Sequence, residues 1–288
     1  MLALRRAVRH HGPMATGFDP HVGREWIERI RGGEREAVRD DLAVEQPLEI
    51  RVDGEPLAVT MRTPGEDEEL AVGFLAGEGL IAGRDDVASA GPSDDLAANV
   101  VEVRTRSGLR RDPAGERRFY LTSSCGVCGK GALEFVRREA PAAPVDRRPA
   151  PPLEPQTVLA LPGRARREQA VFERTGGLHA TALFTPDGEP AVVREDVGRH
   201  NAMDKALGRL LLESRYPLFP EGLLACLSGR ASFELVQKAS IAGLAGLVAV
   251  GAPSTLAVEL ACEQGMLLCG FVRGDSFNVY AGAERLAV

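Results

Sequence analysis

A chain of 288 residues with 44% hydrophobic residues is long enough for one large domain or two ordinary ones with an ample core. Its formal charge of −6 argues against a general DNA or RNA binder. Five cysteines in no framework spacing suggest a reducing compartment, and neither a membrane span nor a secretory leader is legible, so the expected location is cytoplasmic, with no membrane partner.

In chain order, residues 1–40 read as a mobile N-terminal extension with a weak helical stretch around Trp26, Ile27 and Ile30. Ordered structure is expected from Pro47, where Leu48 to Val52 alternates as a strand, Asp53-Gly54 turns and Leu57 to Met61 returns. Thr63-Pro64-Gly65-Glu66 has capping-box spacing ahead of the acidic Asp67, Glu68 and Glu69, which predicts a helix burying Leu70, Phe74 and Leu75. Residues 99–105 and 117–122 read as strands. The first unit is therefore a smaller α+β region over 41–140, and the proline-rich stretch 141–155 is the linker.

Residues 156–288 alternate strand and helix. Strands are expected near 179–184, 190–195, 223–227, 246–250 and 266–271, and helices near 199–213, 231–243 and 254–264. This is an α/β fold, a layered mixed sheet with helices on its faces.

Three polar constellations stand out. Cys125 and Cys128 lie in Leu121-Thr-Ser-Ser-Cys-Gly-Val-Cys-Gly-Lys130, on a glycine-rich loop feeding a helical run. A helix N-terminus and Lys130 both favour thiolate, lowering a thiol pKa from about 8.5 into the reactive range. A structural zinc site needs further ligands, whereas Cys226, Cys262 and Cys269 sit singly in apolar runs and read as core residues. Ser228-Gly229-Arg230, between an apolar strand and a helix, suits either a phosphate or a plain turn. Arg199 and His200 lie in the dense run Arg194 to Lys205, which reads as a ligand pocket, and His179 follows the loose Thr175-Gly-Gly-Leu as either a pocket base or a core residue. Late in the chain, Phe277 and Tyr280 offer rings for stacking on a heterocycle, or edge-strand packing.

Taken together and in this order, Arg62-Thr-Pro-Gly65, Glu69 to Leu75, Ser124-Cys-Gly-Val-Cys128, Thr175 to His179, Glu195 to Lys205, Ser228-Gly-Arg230 and Phe277-Asn-Val-Tyr280 make residues 41–285 resemble the formate dehydrogenase accessory sulfurtransferase family, of the FdhD/NarQ type. The resemblance implies a fold similar to cytidine deaminases with a smaller second domain, and a homodimer. It implies a sulfur carrier that accepts a persulfide from a cysteine desulfurase and passes sulfur to the molybdenum cofactor, Mo-bis-molybdopterin guanine dinucleotide, making formate dehydrogenase active. The cofactor is then a bound substrate, and no resident metal is expected. By matching, Cys125 carries the persulfide with Cys128 as helper or alternative. Phe277, Asn278, Val279, Tyr280, Ala281 and Gly282 hold the pterin cofactor, and Ser228, Gly229, Arg230, Arg199, His200 and His179 supply charge and hydrogen bonds. A thiol-disulfide oxidoreductase, a zinc deaminase and a non-catalytic cofactor chaperone remain the alternatives.

Overall fold

A computed structural model describes residues 19–93, 99–110, 152–219 and 221–287. The cysteine loop at 125–128, the strand expected at 117–122 and residues 141–151 of the expected linker lie outside the described residues.

The chain does not wait for Pro47 to order. Strands β1 (Val22–Arg31) and β2 (Glu34–Ala43) form an antiparallel hairpin where a helix was expected around Trp26. Gly32 and Gly33 decide this. Both adopt positive φ, 60° and 88°, as a two-residue hairpin turn demands, and they would interrupt any helix. Residues 22–40 are therefore a β-arm in place of the expected extension.

The first core is a four-stranded sheet in the order β4-β3-β6-β5, formed by β3 (Gln46–Val52), β4 (Glu55–Arg62), β5 (Val87–Pro92) and β6 (Val100–Thr105). Period-two burial of Leu48, Ile50 and Val52 faces helix α1 (Asp67–Gly77), which buries Leu70, Phe74 and Leu75 as its sequence predicts. The cap differs from expectation. Helix α1 starts after Glu66 without a side-chain cap, because the Thr63 hydroxyl instead accepts the backbone N–H of Val197 from the other half of the molecule.

The second core surrounds a six-stranded sheet in the order β12-β11-β10-β9-β7-β8. Its strands are β7 (His179–Phe184), β8 (Pro190–Asp196), β9 (Leu224–Leu227), β10 (Gly246–Ala249), β11 (Leu267–Arg273) and β12 (Ser276–Ala281). One face is covered by α2 (Pro155–Arg167), whose start absorbs the end of the expected linker; Leu153 is buried and bridges to Leu286. The short α3 (Ala170–Thr175) packs on the arm through β2. The other face carries α4 (Arg199–Leu212), α5 (Phe233–Ala242) and α6 (Thr255–Glu263).

The two halves meet where α1 crosses α4. A β-carbon on Gly73 would lie 1.8 Å from the Asp204 carbonyl oxygen, and one on Gly208 would lie 1.8 Å from that of Glu69. The helices thus touch backbone to backbone. Charged groups buried beside this crossing are paired: Lys205 with Asp196 at 3.0 Å, Lys238 with Asp204 and Glu78 at 2.9 Å each, and Arg194 with both carboxylate oxygens of Glu69.

Burial pushes the Asp204 carboxyl up to about 6, even with Lys238 in contact. Burial also opposes the Lys238 ammonium, yet Asp204 and Glu78 outweigh it and hold its pKa above the usual lysine range. Because the folded chain binds the Asp204 proton more tightly than the unfolded chain, this group favours folding most below about pH 4. That contribution is lost as pH rises through 6. Urea denaturation from pH 4 to 7 is expected to show this loss in the wild type and to show it reduced in Asp204→Asn. Parallel pH profiles would refute it.

Candidate functional site

Strand directions bring the expected residues to one edge of the six-stranded sheet. Strands β8, β9, β10 and β11 run parallel, with β7 and β12 opposed. The carboxyl ends of four strands and the start of β7 therefore share one rim, where ligands of α/β sheets bind.

At the β8-β7-β9 end of this rim, His179 opens β7 across from Asp196, Arg199 and His200 open α4, and Ser228-Gly229-Arg230 follows β9. A β-carbon on Gly229 would sit 3.4 Å from the His179 ring, so that glycine keeps the imidazole and the loop in contact range. Burial, then the charges of Arg199 and His200, hold the His179 pKa below the usual histidine range, against the pull of Asp196. A neutral, half-buried imidazole results at neutral pH.

Two helix N-termini here have no side-chain cap, those of α4 at Gly198 and α5 at Ser232. The Ser232 hydroxyl instead lies 3.3 Å from His200 Nε2, and the same nitrogen lies 2.8 Å from Glu234. The Nε of Arg199 is buried without a hydrogen-bond partner, and among the described residues no carboxylate pairs with Arg199 or Arg230. Uncapped helix starts and guanidinium groups with no carboxylate partner among the described residues make this rim suited to anions. Among the described residues, no group of three or more His, Cys, Asp or Glu side chains gathers to hold a metal.

The run Arg194 to Lys205 divides. Asp196, Asn201 and Lys205 face inward and fasten the halves together. Asp196 accepts the N–H groups of Thr63 and Gly198 and the Asn201 amide, while Asn201 also donates to Met61 O and Lys205 to Thr63 O. Only Arg199 and His200 remain at the rim. Ser228 is part structural, since its hydroxyl accepts the Ala180 N–H at 2.8 Å.

Of the residues Phe277 to Gly282, Tyr280 comes closest to this cluster: a β-carbon on Gly270 would lie 3.0 Å from its ring and 3.1 Å from the Gly251 carbonyl oxygen, in the loop after β10. Strand β12 is four strands from β7, roughly 19 Å at the usual strand spacing. Phe277 packs on the core beneath α2 and Tyr280 on the opposite face, while Asn278 and Val279 are exposed. Ala281 is buried, and Gly282 turns against Met266 and Leu267 at the far edge of the sheet, away from the rim. Sequence reading missed two neighbours of the rim: Glu234, and the loop Gly251-Ala-Pro253, which hydrogen-bonds Gly229 and Ala231. The matching strand-Gly-x-x-Ser pattern after β9 and after β10 was the available signal.

Burial pushes the Cys226 and Cys269 thiols up to about 12, consistent with core roles. Cys262 is exposed on α6, contrary to its apolar setting in the sequence, because its position on that helix turns away from the sheet.

The model of the FdhD/NarQ family matches residues 43–287. A Streptomyces coelicolor protein named sulfur carrier protein FdhD is 52% identical over 272 residues, covering 92% of this chain and 95% of its own. One of the same name from Mycolicibacterium paratuberculosis is 50% identical over 275 residues, covering 92% and 98%. Among solved structures, a formate dehydrogenase accessory protein from Desulfotalea psychrophila superposes with a TM-score of 0.70 at 22% identity, over 93% of this chain and all of that one, a likeness of fold. No helix among the described residues is long and apolar enough to cross a membrane.

Proposed function

The chain belongs to the FdhD/NarQ family, and from that premise we propose that it is a sulfur carrier loaded by a cysteine desulfurase and unloaded onto the molybdenum cofactor that formate dehydrogenase requires. In loading, the Cys125 thiolate attacks the terminal sulfur of the desulfurase persulfide. A new S–S bond forms on Cys125, the old one breaks, and the desulfurase cysteine departs as thiolate. Cys128, three residues on, is the helper thiol.

The observation that carries the reading beyond family membership is the rim of the six-stranded sheet. Arg199, Arg230 and the open starts of α4 and α5 offer charge and N–H donors to phosphates, with the neutral His179 between them. The bis-guanine-dinucleotide form of the cofactor is long, and Asn278 to Tyr280 on β12 lie at a distance that a second arm of such a ligand spans. The same reading takes this sheet, with helices on both faces, as the deaminase-like frame and places the protein in the cytoplasm.

Incubation with a cysteine desulfurase and cysteine, followed by mass spectrometry, is expected to find a reducible one-sulfur adduct on the peptide holding Cys125 and Cys128. Cys125→Ala should lose the adduct and Cys128→Ala should retain it. A chaperone without sulfur chemistry predicts no adduct in any variant, and an oxidoreductase predicts a Cys125–Cys128 disulfide in its place.

A further inference from the structure

We propose that Glu195 is a positioning residue of the rim: its carboxylate closes the loop 171–180 and thereby fixes where the His179 imidazole stands. Among the described residues no hydrogen bond holds that imidazole itself. Its place is set by its backbone, and the backbone ahead of it is a weak guide. Gly176, in the left-handed region at φ 64°, and Gly177 stand just before it, and both are free of the restraint that a β-carbon imposes. Helix α3 before them has six residues, too few to hold its shape unaided. The loop therefore needs a fastening from outside itself.

Glu195 fastens both ends. Through its backbone it pairs with Ala180, the residue after His179, in the β7–β8 ladder. Through its side chain it accepts the N–H of Val171 at 3.0 Å and that of Phe172 at 2.8 Å, one on each carboxylate oxygen. These are donors that a helix's own cap would satisfy, and Gln169 at the cap position supplies no such bond. Arg174 braces α3 against the arm through Asp19 and Asp41, but only Glu195 ties its start to the rim strand. Side chains alternate along β7 and β8. Ala180 and Glu195 point to the α2 face, as Ala182 and Phe184 do, while His179 and Asp196 point to the α4 face with Leu183. The carboxylate thus stands behind the sheet, away from a ligand at the rim, and acts there only through the loop. What it sets is the reach of the ring, whose Nδ1 and Cε1 lie 3.4 and 3.5 Å from where a Gly229 β-carbon would be.

Reach and charge can be separated. Glu195→Asp keeps the charge and loses a methylene of reach, whereas Glu195→Gln keeps the reach and one acceptor and loses the charge. In the wild type, burial and then Arg199 and His200 on α4 hold the His179 pKa low, against the pull of Asp196 on β8. Histidine C–H resonances report this by NMR, with His179 assigned by its absence from His179→Gln. Glu195→Asp is expected to titrate above the wild type, because a released loop admits water to the ring, and Glu195→Gln close to the wild type. A purely electrostatic effect gives the opposite order: Asp matches the wild type and Gln falls below it, since losing a negative charge disfavours the imidazolium. That order, or two variants that move equally or not at all, would overturn the proposal. The consequence for binding rests on the reading of this rim as a phosphate site. With inorganic pyrophosphate as the probe, Glu195→Asp should raise the Kd about fivefold and Glu195→Gln less than about twofold. A wild type that binds no pyrophosphate overturns that reading of the rim, and the His179 titrations still decide the role of Glu195.

Discussion

Gly73→Ala is expected to destabilise the protein by about 3 kcal/mol or more, at the upper end for a single added methyl group. The new β-carbon would lie 1.8 Å from the Asp204 carbonyl oxygen, 2.6 Å from its carbon and 2.8 Å from the Gly208 nitrogen, all backbone atoms that no rotamer change can move aside. Helices α1 and α4 must separate, and the hydrophobic and ionic contacts beside the crossing loosen with them. Gly208→Ala should cost a similar amount, through the Glu69 carbonyl. The double variant should cost much less than the two added, because helices parted by one methyl already have room for the other. Urea denaturation of the three variants measures this. Additive losses, or a Gly73→Ala midpoint equal to wild type, would show that the crossing is looser than its geometry.

The second large effect is expected at Lys205, whose side chain is fully buried. Its ammonium group lies 3.0 Å from Asp196, itself fully buried, and donates to Thr63 O at 2.9 Å. Burial pushes the Asp196 carboxyl above the usual carboxylate range, against the opposing pull of Lys205 and of the N–H donors of Gly198 and Asn201. Lys205→Met removes the positive charge and keeps the volume, leaving a carboxylate in the interior. A loss of about 3–5 kcal/mol is expected. Adding Asp196→Asn removes the stranded charge and should restore a substantial part of the loss. If the single variant loses less than about 1 kcal/mol, the pair is not holding the two halves together.

Most of the second half was legible in the sequence. Strands β7 to β11 and helices α4 to α6 fall within a few residues of their expected places, because short apolar runs alternate there with amphipathic segments and turn residues. The first half was read well at the Asp53-Gly54 hairpin and poorly at the arm. The apolar spacing of Trp26, Ile27 and Ile30 fits a helix locally, and the paired glycines were taken as breaks when they are a turn. Helix α2 was hidden by the prolines before it, although a proline is welcome at a helix start, where Pro155 stands. In the candidate site the residue types were legible and their division was not. Asp196, Asn201, Asp204 and Lys205 resemble ligand-binding groups as much as Arg199 and His200 do, since polarity is local information and the direction a side chain faces is not.

The sequence by itself determined the family, the residue types available for sulfur and anion chemistry, and the order of strands and helices in the second half, because periodicity and turn chemistry act over a few residues. Only the tertiary structure decided that His179, Arg199 and Arg230, up to 51 positions apart, share one rim while Ala281 and Gly282 lie at the opposite edge. It alone decided that the polar run after β8 is mostly a buried fastening to the first half. Both follow from strand direction and from the α1–α4 crossing, long-range contacts that depend on which backbones can approach and which buried charges must find partners.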